Sequence, residues 1–356
     1  FLVIAGNGHL LHYCGVPERV LNEHPELAHD SCLVISESTE SSTFDDSQLS
    51  TLLTDRFGPE GSNPADYVYL YEIPETILNE WQIKEETQQA YDKVGESAAL
   101  PGNMLKAAWI MSNMGYTEEQ FHVAGSDAYN FQGVGNPHIH AKIQPKELVL
   151  DVGSGLGIDS FIAGNATGPE GKVVGIDISS KQVRHAQSRA NERGLSNIEF
   201  HVADMERIPL PDASIDVIIS NGAFCLVPNK EQAFKELYRV LKPGGRKSIC
   251  TTTMQVAQLE PGVSWPLCMR MFIPKSDIEQ LCEKIGFTNI MVDDSDSSMT
   301  MEIPEEVLKD TNPERNRVHV GGDDFKHLEN FDMDKLCARV CIVAEKPKEN
   351  AVAGGL

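Results

Sequence analysis

The chain has 356 residues, with 53 acidic against 30 basic side chains and a formal net charge of −23 at pH 7. A surface of this charge repels phosphate backbones and anionic lipids, so we expect neither a nucleic acid nor a membrane as partner. Eight cysteines spread over this length do not form a disulfide framework, which favours a reducing, cytoplasmic setting. Apolar runs long enough to span a bilayer do not occur in the sequence.

The first 75 residues form a segment of their own. The chain starts with a strand-like run and no methionine, so we expect a fragment or processed product, and a targeting peptide stays open. Short motifs at residues 6–9, 15–19 and 64–68 resemble the C-terminal part of the ChaN-like haem-binding uptake family. The resemblance implies a small α/β fragment over residues 1–75, in which His9 ligates a metal or haem or else bonds a nearby backbone group. A linker is expected over residues 71–85.

The next strong signal is an aliphatic run, Leu148–Leu150, which stops at Asp151 and a glycine-rich turn, residues 153–157. Helix-forming sequence then resumes. This pattern predicts a buried parallel strand with a ligand site at its C-terminal end. Glycines let the backbone approach a ligand closely, and the N-terminus of the following helix favours an anionic group.

Further strand-like and helix-like runs alternate after this turn. The strands are predicted at Lys172–Asp177, Ile198–Val202, Ile215–Ile219 and, last, Leu336–Ala344, and the helices at Lys181–Arg193 and Lys230–Leu241. The second helix ends at a proline- and glycine-containing stop signal, residues 242–245. The alternation predicts a doubly wound, mostly parallel α/β sheet. Residues 293–334 are expected to form an inserted loop or cap, with His319 and Asp323 near the site, and residues 348–356 a disordered tail.

Several segments together resemble the class I S-adenosylmethionine-dependent methyltransferases: DVGSGLG, VVGID, VADMERIPLPDASIDVIISN and ELYRVLKPGG, within residues 85–347. The resemblance implies a seven-stranded Rossmann-like sheet with an antiparallel last strand, and S-adenosyl-L-methionine as the cofactor. It also implies ribose binding by Asp177 and an adenine site bordered by Asp204 and Met205. The full set implied to bind the cofactor is Asp151, Gly153, Ser154, Gly155, Gly157, Asp177, Ile178, Asp204, Met205 and Asn221. A nicotinamide enzyme is the competing interpretation, disfavoured because the turn lacks the G-x-G-x-x-G spacing.

A narrower resemblance, to the arsenite methyltransferase family, covers residues 114–119, 132–137, 220–230 and 265–274. Members of that family hold trivalent arsenic with three thiolates, which suit a soft centre. In this sequence two of the three positions are Val134 and Gly222, and Cys268 alone matches. We therefore expect an acceptor other than arsenite. The alternative is arsenite bound by Cys225 and Cys268. Both cysteines could equally be small apolar side chains that fill the core. The candidate acceptor-binding residues are Val134, Asn136, Gly222, Cys225 and Cys268.

The candidate catalytic residues are Tyr91, His138, Asn221 and Arg270. Tyr91 is either a mobile lid over the cofactor or a packing aromatic, and His138, like His140, is either a base or a loop histidine. Arg270 either grips a substrate carboxylate or pairs with surface acids. A thioether or thiol acid such as methylthio-hydroxybutyrate is one acceptor that the sequence permits.

No metal site is predicted, and Cys337 and Cys341, on one strand face, are assigned to the core. The expected partner is a small-molecule methyl acceptor, and the sequence leaves the oligomeric state open. A haem-binding protein or a cofactor-binding regulator is the alternative that is not an enzyme.

Overall fold

A computed structural model describes residues 75–97, 104–300, 304–308, 328 and 330–348. The chain divides between Leu78 and Asn79, and all but the start of the first helix belongs to the second unit. The expectations for residues 1–74, His9 and the ChaN-like fragment among them, lie outside the described residues, as do His319, Asp323 and residues 349–356.

The described secondary structure alternates strands and helices along most of its length. The helices are α1 (Glu75–Ser97), α2 (Met104–Asn113), α3 (Glu118–Ala124), α4 (His138–Ala141), α5 (Ile158–Thr167), α6 (Ser180–Glu192), α7 (Lys230–Val240), α8 (Leu267–Met271), α9 (Lys275–Ile285), α10 (Glu305–Leu308) and α11 (Met333–Leu336). The strands are β1 (Leu148–Val152), β2 (Lys172–Asp177), β3 (Ile198–Val202), β4 (Ile215–Asn221), β5 (Leu241–Met254), β6 (Thr288–Asp293) and β7 (Cys337–Glu345).

The strands form one seven-stranded sheet in the order β3-β2-β1-β4-β5-β7-β6. Strands β1 to β5 pair in parallel, whereas β7 runs antiparallel to both β5 and β6. The prediction of a doubly wound, mostly parallel sheet with an antiparallel last strand is therefore confirmed. The order reverses at β1, which lies between β2 and β4, and ligand crevices of such sheets open at this point.

Both faces of the sheet are buried. Val149 of β1 packs into one core cluster together with Phe161 of α5 and Ala186 of α6. The next residue, Leu150, faces the opposite cluster, which is built with Phe234 of α7 and others from α9. Because helices cover both faces, the central strands are continuously apolar, and this is why the aliphatic run was readable in the sequence.

Helix boundaries follow local capping chemistry. The Asn229 side chain accepts a hydrogen bond from the Gln232 backbone N–H and starts α7. This helix ends at Val240, one residue earlier than predicted and just before the stop signal of residues 242–245, and Leu241 already pairs with Ile215 of β4.

The linker expected over residues 71–85 is wrong from Glu75 onward, because α1 runs from Glu75 to Ser97. Its inner side chains, Ile83, Ala90 and Tyr91, recur at helical spacing and pack against a third apolar cluster. The polar residues between them hide this spacing in the sequence. None of the helices in the described ranges is long and apolar enough to cross a membrane.

Candidate functional site

A cleft of about 1060 Å³ opens at the carboxyl ends of β1, β2 and β4. Its position is the switch point of the sheet, where the turn after β1 and the loop after β4 diverge. Eleven of the residues predicted as cofactor, acceptor or catalytic residues line it: Tyr91, Asp151, Gly153, Ser154, Gly155, Asp177, Ile178, Asp204, Met205, Asn221 and Gly222. Gly157 follows this turn as the residue before α5 and is not in the lining.

The glycine-rich turn brings backbone to the floor of the cleft. Gly153 has φ +71°, and a Cβ atom there would lie 2.1 Å from Cβ of Ala223. The Gly155 N–H donates a 2.9 Å hydrogen bond to Oδ2 of Asp177, and the Ser179 N–H donates one of 2.8 Å to Oδ1. Burial raises the pKa of Asp177, while these two backbone bonds act in the opposite direction. The carboxylate is thereby fixed beside the turn.

The Asp151 side chain links the strand before the turn to the helix after it. It is 2% exposed, and Ser160 Oγ donates a 2.6 Å hydrogen bond to its Oδ2. Burial, and then the nearby Asp159 carboxylate, raise the pKa of Asp151 to about 8. Asp151 therefore stays largely protonated at neutral pH and ties β1 to the first turn of α5.

At the other end of the cleft, α1 reaches over β3. Lys84 Nζ donates to Asp204 Oδ2 at 2.7 Å and to Glu206 Oε2 at 2.6 Å. Burial opposes the charge of Lys84, but the two carboxylates outweigh it and raise its pKa. Asp204 was predicted from the sequence, whereas Lys84 and Glu206 were not. Nothing in the sequence marks the pairing, since the lysine lies 120 positions from Asp204.

A polar cluster that the sequence analysis missed in part lies between β4 and α5. Tyr116 Oη donates to Asp159 Oδ1 at 2.7 Å, and His138 Nε2 lies 3.0 Å from the same oxygen. Asn221 Nδ2 donates to Asp159 Oδ2 at 3.0 Å and to Tyr116 Oη at 3.0 Å. Burial, followed by the Asp159 carboxylate, raises the pKa of Tyr116 well above its usual value. Asp159 and Asn221 line the cleft, whereas Tyr116 and His138 back them from the interior.

Asn221 also holds the loop formed by residues 132–136. Its Oδ1 accepts hydrogen bonds from the Val134 N–H at 2.9 Å and the Gly135 N–H at 3.2 Å. Val134 and Asn136 face a second cavity rather than the cleft. The Asn136 side chain accepts from the His138 N–H at 3.0 Å and donates to Gly115 O at 3.0 Å, so it caps α4 and anchors the loop. These two predicted acceptor residues therefore shape the loop and do not line the cleft.

Three other predicted residues lie away from the cleft lining. Cys225 and Cys268 belong to an apolar cluster beside Tyr91. Burial raises the pKa of both thiols, that of Cys268 to about 12, so they are protonated at neutral pH. Arg270 lies exposed on α8, outside the lining, where it does not reach a carboxylate bound in the cleft, so of the two alternatives the surface position is the one observed. The reason is that this short helix turns Met269, the neighbour of Arg270, into the apolar cluster.

Tyr91 itself lines the cleft and also packs in the apolar cluster, so the packing role considered for it is present, and the mobile lid stays a prediction. Burial raises its pKa, as do the neighbouring thiols of Cys225 and Cys268. Gly222, at the end of β4, has φ +73°, and a Cβ there would lie 3.1 Å from Gln132 O. A side chain at this position would be strained, so a glycine is what the turn requires.

The lining of the cleft is predominantly acidic. Apart from Asp151, whose pKa is raised, the described lining carries four carboxylates, those of Asp159, Asp177, Asp204 and Glu206, against the single amine of Lys84. Two buried hydroxyls in it, Thr87 Oγ1 and Ser154 Oγ, have no hydrogen-bond partner in the described part of the chain. Negative charge and unsatisfied donors suit a ligand that carries cationic and polar groups, and they disfavour a pyrophosphate. Within the described ranges no three His, Cys, Asp or Glu side chains are placed to hold a metal ion.

Residues 143–310 match a family model described as a methyltransferase domain. The chain is 32% identical over 191 residues to an arsenite methyltransferase of Halobacterium salinarum, covering 52% of this chain and 48% of that protein. It is 34% identical over 114 residues to a demethylmenaquinone methyltransferase of Listeria welshimeri, covering 32% of this chain and 48% of that protein. Among solved structures, an arsenic(III) S-adenosylmethionine methyltransferase from Chlamydomonas reinhardtii aligns with a TM-score of 0.45 and 24% identity, over 70% of this chain and 75% of that one.

The expectation of a methyltransferase domain is thus confirmed. The chain spans about half the length of the curated relatives it matches, 48% in both cases above. The family model does not extend to residues 1–75, so the ChaN-like resemblance gains no support from it.

Proposed function

We propose that the chain transfers a methyl group from S-adenosyl-L-methionine, by in-line displacement, to a small-molecule acceptor. The observation that carries this proposal is the acidic cleft at the switch point, with Asp177 fixed beside the glycine-rich turn. A sulfonium cofactor carries cationic groups and no phosphate, so this cleft attracts it and repels a dinucleotide. The matching methyltransferase domain supports the same conclusion.

In this proposal, three sets of residues each bind a different part of the cofactor. Asp177 accepts hydrogen bonds from the ribose hydroxyls. The N-terminus of α5, which begins at Ile158, receives the methionine carboxylate. Asp204 and Met205 border the adenine, with Lys84 above them. When bound, the cofactor supplies an electrophilic methyl group on its sulfonium.

The acceptor side of the cleft is formed by the loop after β4 and by residues 130–133. Its apolar members, Phe131, Leu226 and Val227, exclude water and align a nucleophile. Where the acceptor atom loses a proton, the Asp159 carboxylate, backed by His138, is the base within reach of the cleft. Thiols and thioethers need no such base. A thioether acid such as methylthio-hydroxybutyrate would bind without help from Arg270, and Lys84 is already paired, so a weakly charged acceptor fits better.

Arsenite is the second candidate acceptor, favoured by the arsenite methyltransferases among the relatives. Cys225, Cys268 and Cys337 share the apolar cluster beside Tyr91. Their thiols are protonated at neutral pH, since burial raises the pKa of Cys268 to about 12 and that of Cys337 to about 11. A three-thiolate site would therefore require these side chains to move together and lose their protons.

The test is a cofactor-consumption assay that measures release of S-adenosylhomocysteine with a panel of acceptors. The panel contains arsenite, small thioether acids, thiols, amines and an apolar quinol. We expect turnover with an organic acceptor and unchanged turnover in Cys268→Ser. Turnover with arsenite alone, lost in Cys268→Ser, would replace the organic acceptor by the second candidate. Failure of the purified chain to bind S-adenosyl-L-methionine in a calorimetric titration would overturn the proposal as a whole.

A further inference from the structure

A second cavity, of about 560 Å³, lies over the antiparallel end of the sheet. Strands β5, β6 and β7 form its floor, and the loop of residues 134–136 forms one wall. Its described lining shares no residue with that of the cofactor cleft. The chemically active side chains in it are Cys250, Cys341, His140, Asp293 and Arg339.

The two cysteines are direct partners in the antiparallel ladder of β5 and β7. Directly opposed residues point to one face, with Cα atoms about 4.5–5.5 Å apart, inside the range of about 4.4–6.8 Å that a disulfide spans. The two thiols are close enough for each to shift the pKa of the other. The backbone would therefore need little movement to accommodate a bond between the two sulfurs.

The two thiols are not equivalent. The neighbouring Cys250 thiol lowers the pKa of Cys341, as does the Ser248 hydroxyl, whose oxygen lies 3.4 Å from Cys341 Sγ, although burial opposes them. The neighbouring Cys341 sulfur, followed by burial, raises the pKa of Cys250 well above its usual value. Cys341 is half-buried and faces the cavity, whereas Cys250 is 2% exposed. The thiolate forms more readily at the more accessible sulfur.

We propose that Cys341 and Cys250 form a thiol–disulfide exchange site for small, weakly charged disulfides that enter the second cavity. The Cys341 thiolate attacks one sulfur of the small disulfide, forms a mixed disulfide and releases the other half as a thiolate. Cys250 gives its proton to that leaving thiolate. It then attacks Cys341 Sγ and expels the second half, which takes up a proton from water. In sum, two protein thiols are oxidised to one disulfide, and the small disulfide is reduced to two thiols.

The other charged groups of the cavity are already paired. His140 Nε2 lies 2.9 Å from Asp293 Oδ2, and Arg339 donates to Asp296 Oδ1 at 2.9 Å. Arg339 also donates to Val134 O at 3.2 Å. With these groups already paired, and a net charge of −23 on the chain, a neutral disulfide enters more easily than an anionic one.

The loop of residues 132–136 connects the exchange site to the cofactor cleft. A Cβ on Gly135 would lie 2.9 Å from Cys250 Sγ, so backbone and sulfur are in close contact. The Gly135 N–H is held by Asn221, which lines the cleft. Gly135 therefore contacts Cys250 of the exchange site on one side and Asn221 of the cleft on the other.

The experiment treats the native full chain with 2-hydroxyethyl disulfide, quenches it with acid and maps the cysteines by peptide mass spectrometry. We expect loss of two thiols and a Cys250–Cys341 cross-link in the wild-type chain. In Cys250→Ser, the mixed disulfide on Cys341 should persist, because the resolving thiol is gone. The matched control is Cys282→Ser, which removes a buried thiol of another core cluster and should leave the cross-link unchanged.

Two results would overturn the proposal: a chain in which Cys341 stays unmodified, or one in which a different cysteine pair forms the cross-link. A second measurement uses the wild-type chain alone and does not depend on the folding of a variant. In a brief reaction with iodoacetamide at pH 7, Cys341 should be labelled at least about tenfold faster than Cys268, whose pKa is raised. Equal labelling of the two would also overturn it.

Discussion

At the scale of single residues, ligand binding in the cleft depends on carboxylates that lie at the ends of strands. Asp177 ends β2, and two backbone N–H groups fix both of its oxygens before a ligand arrives. Each carboxylate oxygen keeps a free lone pair for a further donor. Because the group does not need to reorganise on binding, its hydrogen bonds to a ribose should contribute fully to affinity.

We expect Asp177→Asn to weaken S-adenosyl-L-methionine binding by about 2 kcal/mol, or ~30-fold, since hydrogen bonds to a charged acceptor are replaced by neutral ones. Isothermal titration calorimetry measures the change. Asp212→Asn is the matched control, because the Asp212 side chain is 78% exposed and far from the cleft lining. If Asp177→Asn binds S-adenosyl-L-methionine within about twofold of the wild-type affinity, the ribose-binding role of Asp177 is contradicted.

The residues on the acceptor side of the cleft were harder to predict from the sequence. Asp159 lies in the first turn of α5, where an acidic residue is common because it interacts favourably with the helix dipole. Its contacts with Tyr116 and Asn221 join segments that are 43 and 62 positions away in sequence. His138 was named as a candidate, but its partner could be found only once α4 and α5 were placed side by side.

At the scale of elements, α1 is the part that sequence patterns described least well. Its polar residues suggested a linker, yet Lys84 binds Asp204 and Glu206, and Gln182 Nε2 donates to Tyr91 O at 3.0 Å. Ser179 Oγ donates to Asp92 at 2.5 Å. Side chains from three places thus fasten α1 over the cleft.

We expect Lys84→Met to loosen α1. Glu206 and Asp204 would lose their cation, at a cost of about 1–2 kcal/mol after allowance for solvent, so local opening should become about tenfold more frequent. Hydrogen exchange of the backbone amides of residues 84–92, followed by mass spectrometry, measures this opening. Lys235→Met, which removes an exposed lysine paired with Glu231, is the control. Equal exchange in both variants would argue against the fastening.

At the scale of the whole molecule, one charge lies inside the core. Lys247 has no exposed surface, and its Nζ lies 3.7 Å from the Phe234 ring centroid and 3.2 Å from Cys282 Sγ. Burial lowers the pKa of Lys247 to about 8. The unfolded chain therefore binds more protons than the folded one between about pH 8 and pH 10.5, and this residue makes stability rise with pH in that window.

Below pH 8 the lysine is charged in both states, and its burial costs about 3 kcal/mol. We expect Lys247→Met, which keeps the volume, to raise the free energy of unfolding at pH 7 by about 1–3 kcal/mol, and by much less at pH 10. Urea unfolding at the two pH values measures the difference. A gain of the same size at both pH values, or a loss at pH 7, would show that the amine is not the source of the cost.

The sequence by itself determined strands β1 to β4, helices α6 and α7 to within one residue at each end, the glycine-rich turn and the position of Asp177 at the end of β2. These features follow from local patterns, because apolar runs, caps and turn residues act within a few positions of one another. Only the tertiary structure decided that Lys84 meets Asp204, that Arg270 stays outside the cleft and that Cys250 faces Cys341. Those outcomes depend on the order in which strands join the sheet and on the helices that cover it. Contacts between distant segments are set by packing of the whole chain, and no local pattern contains them.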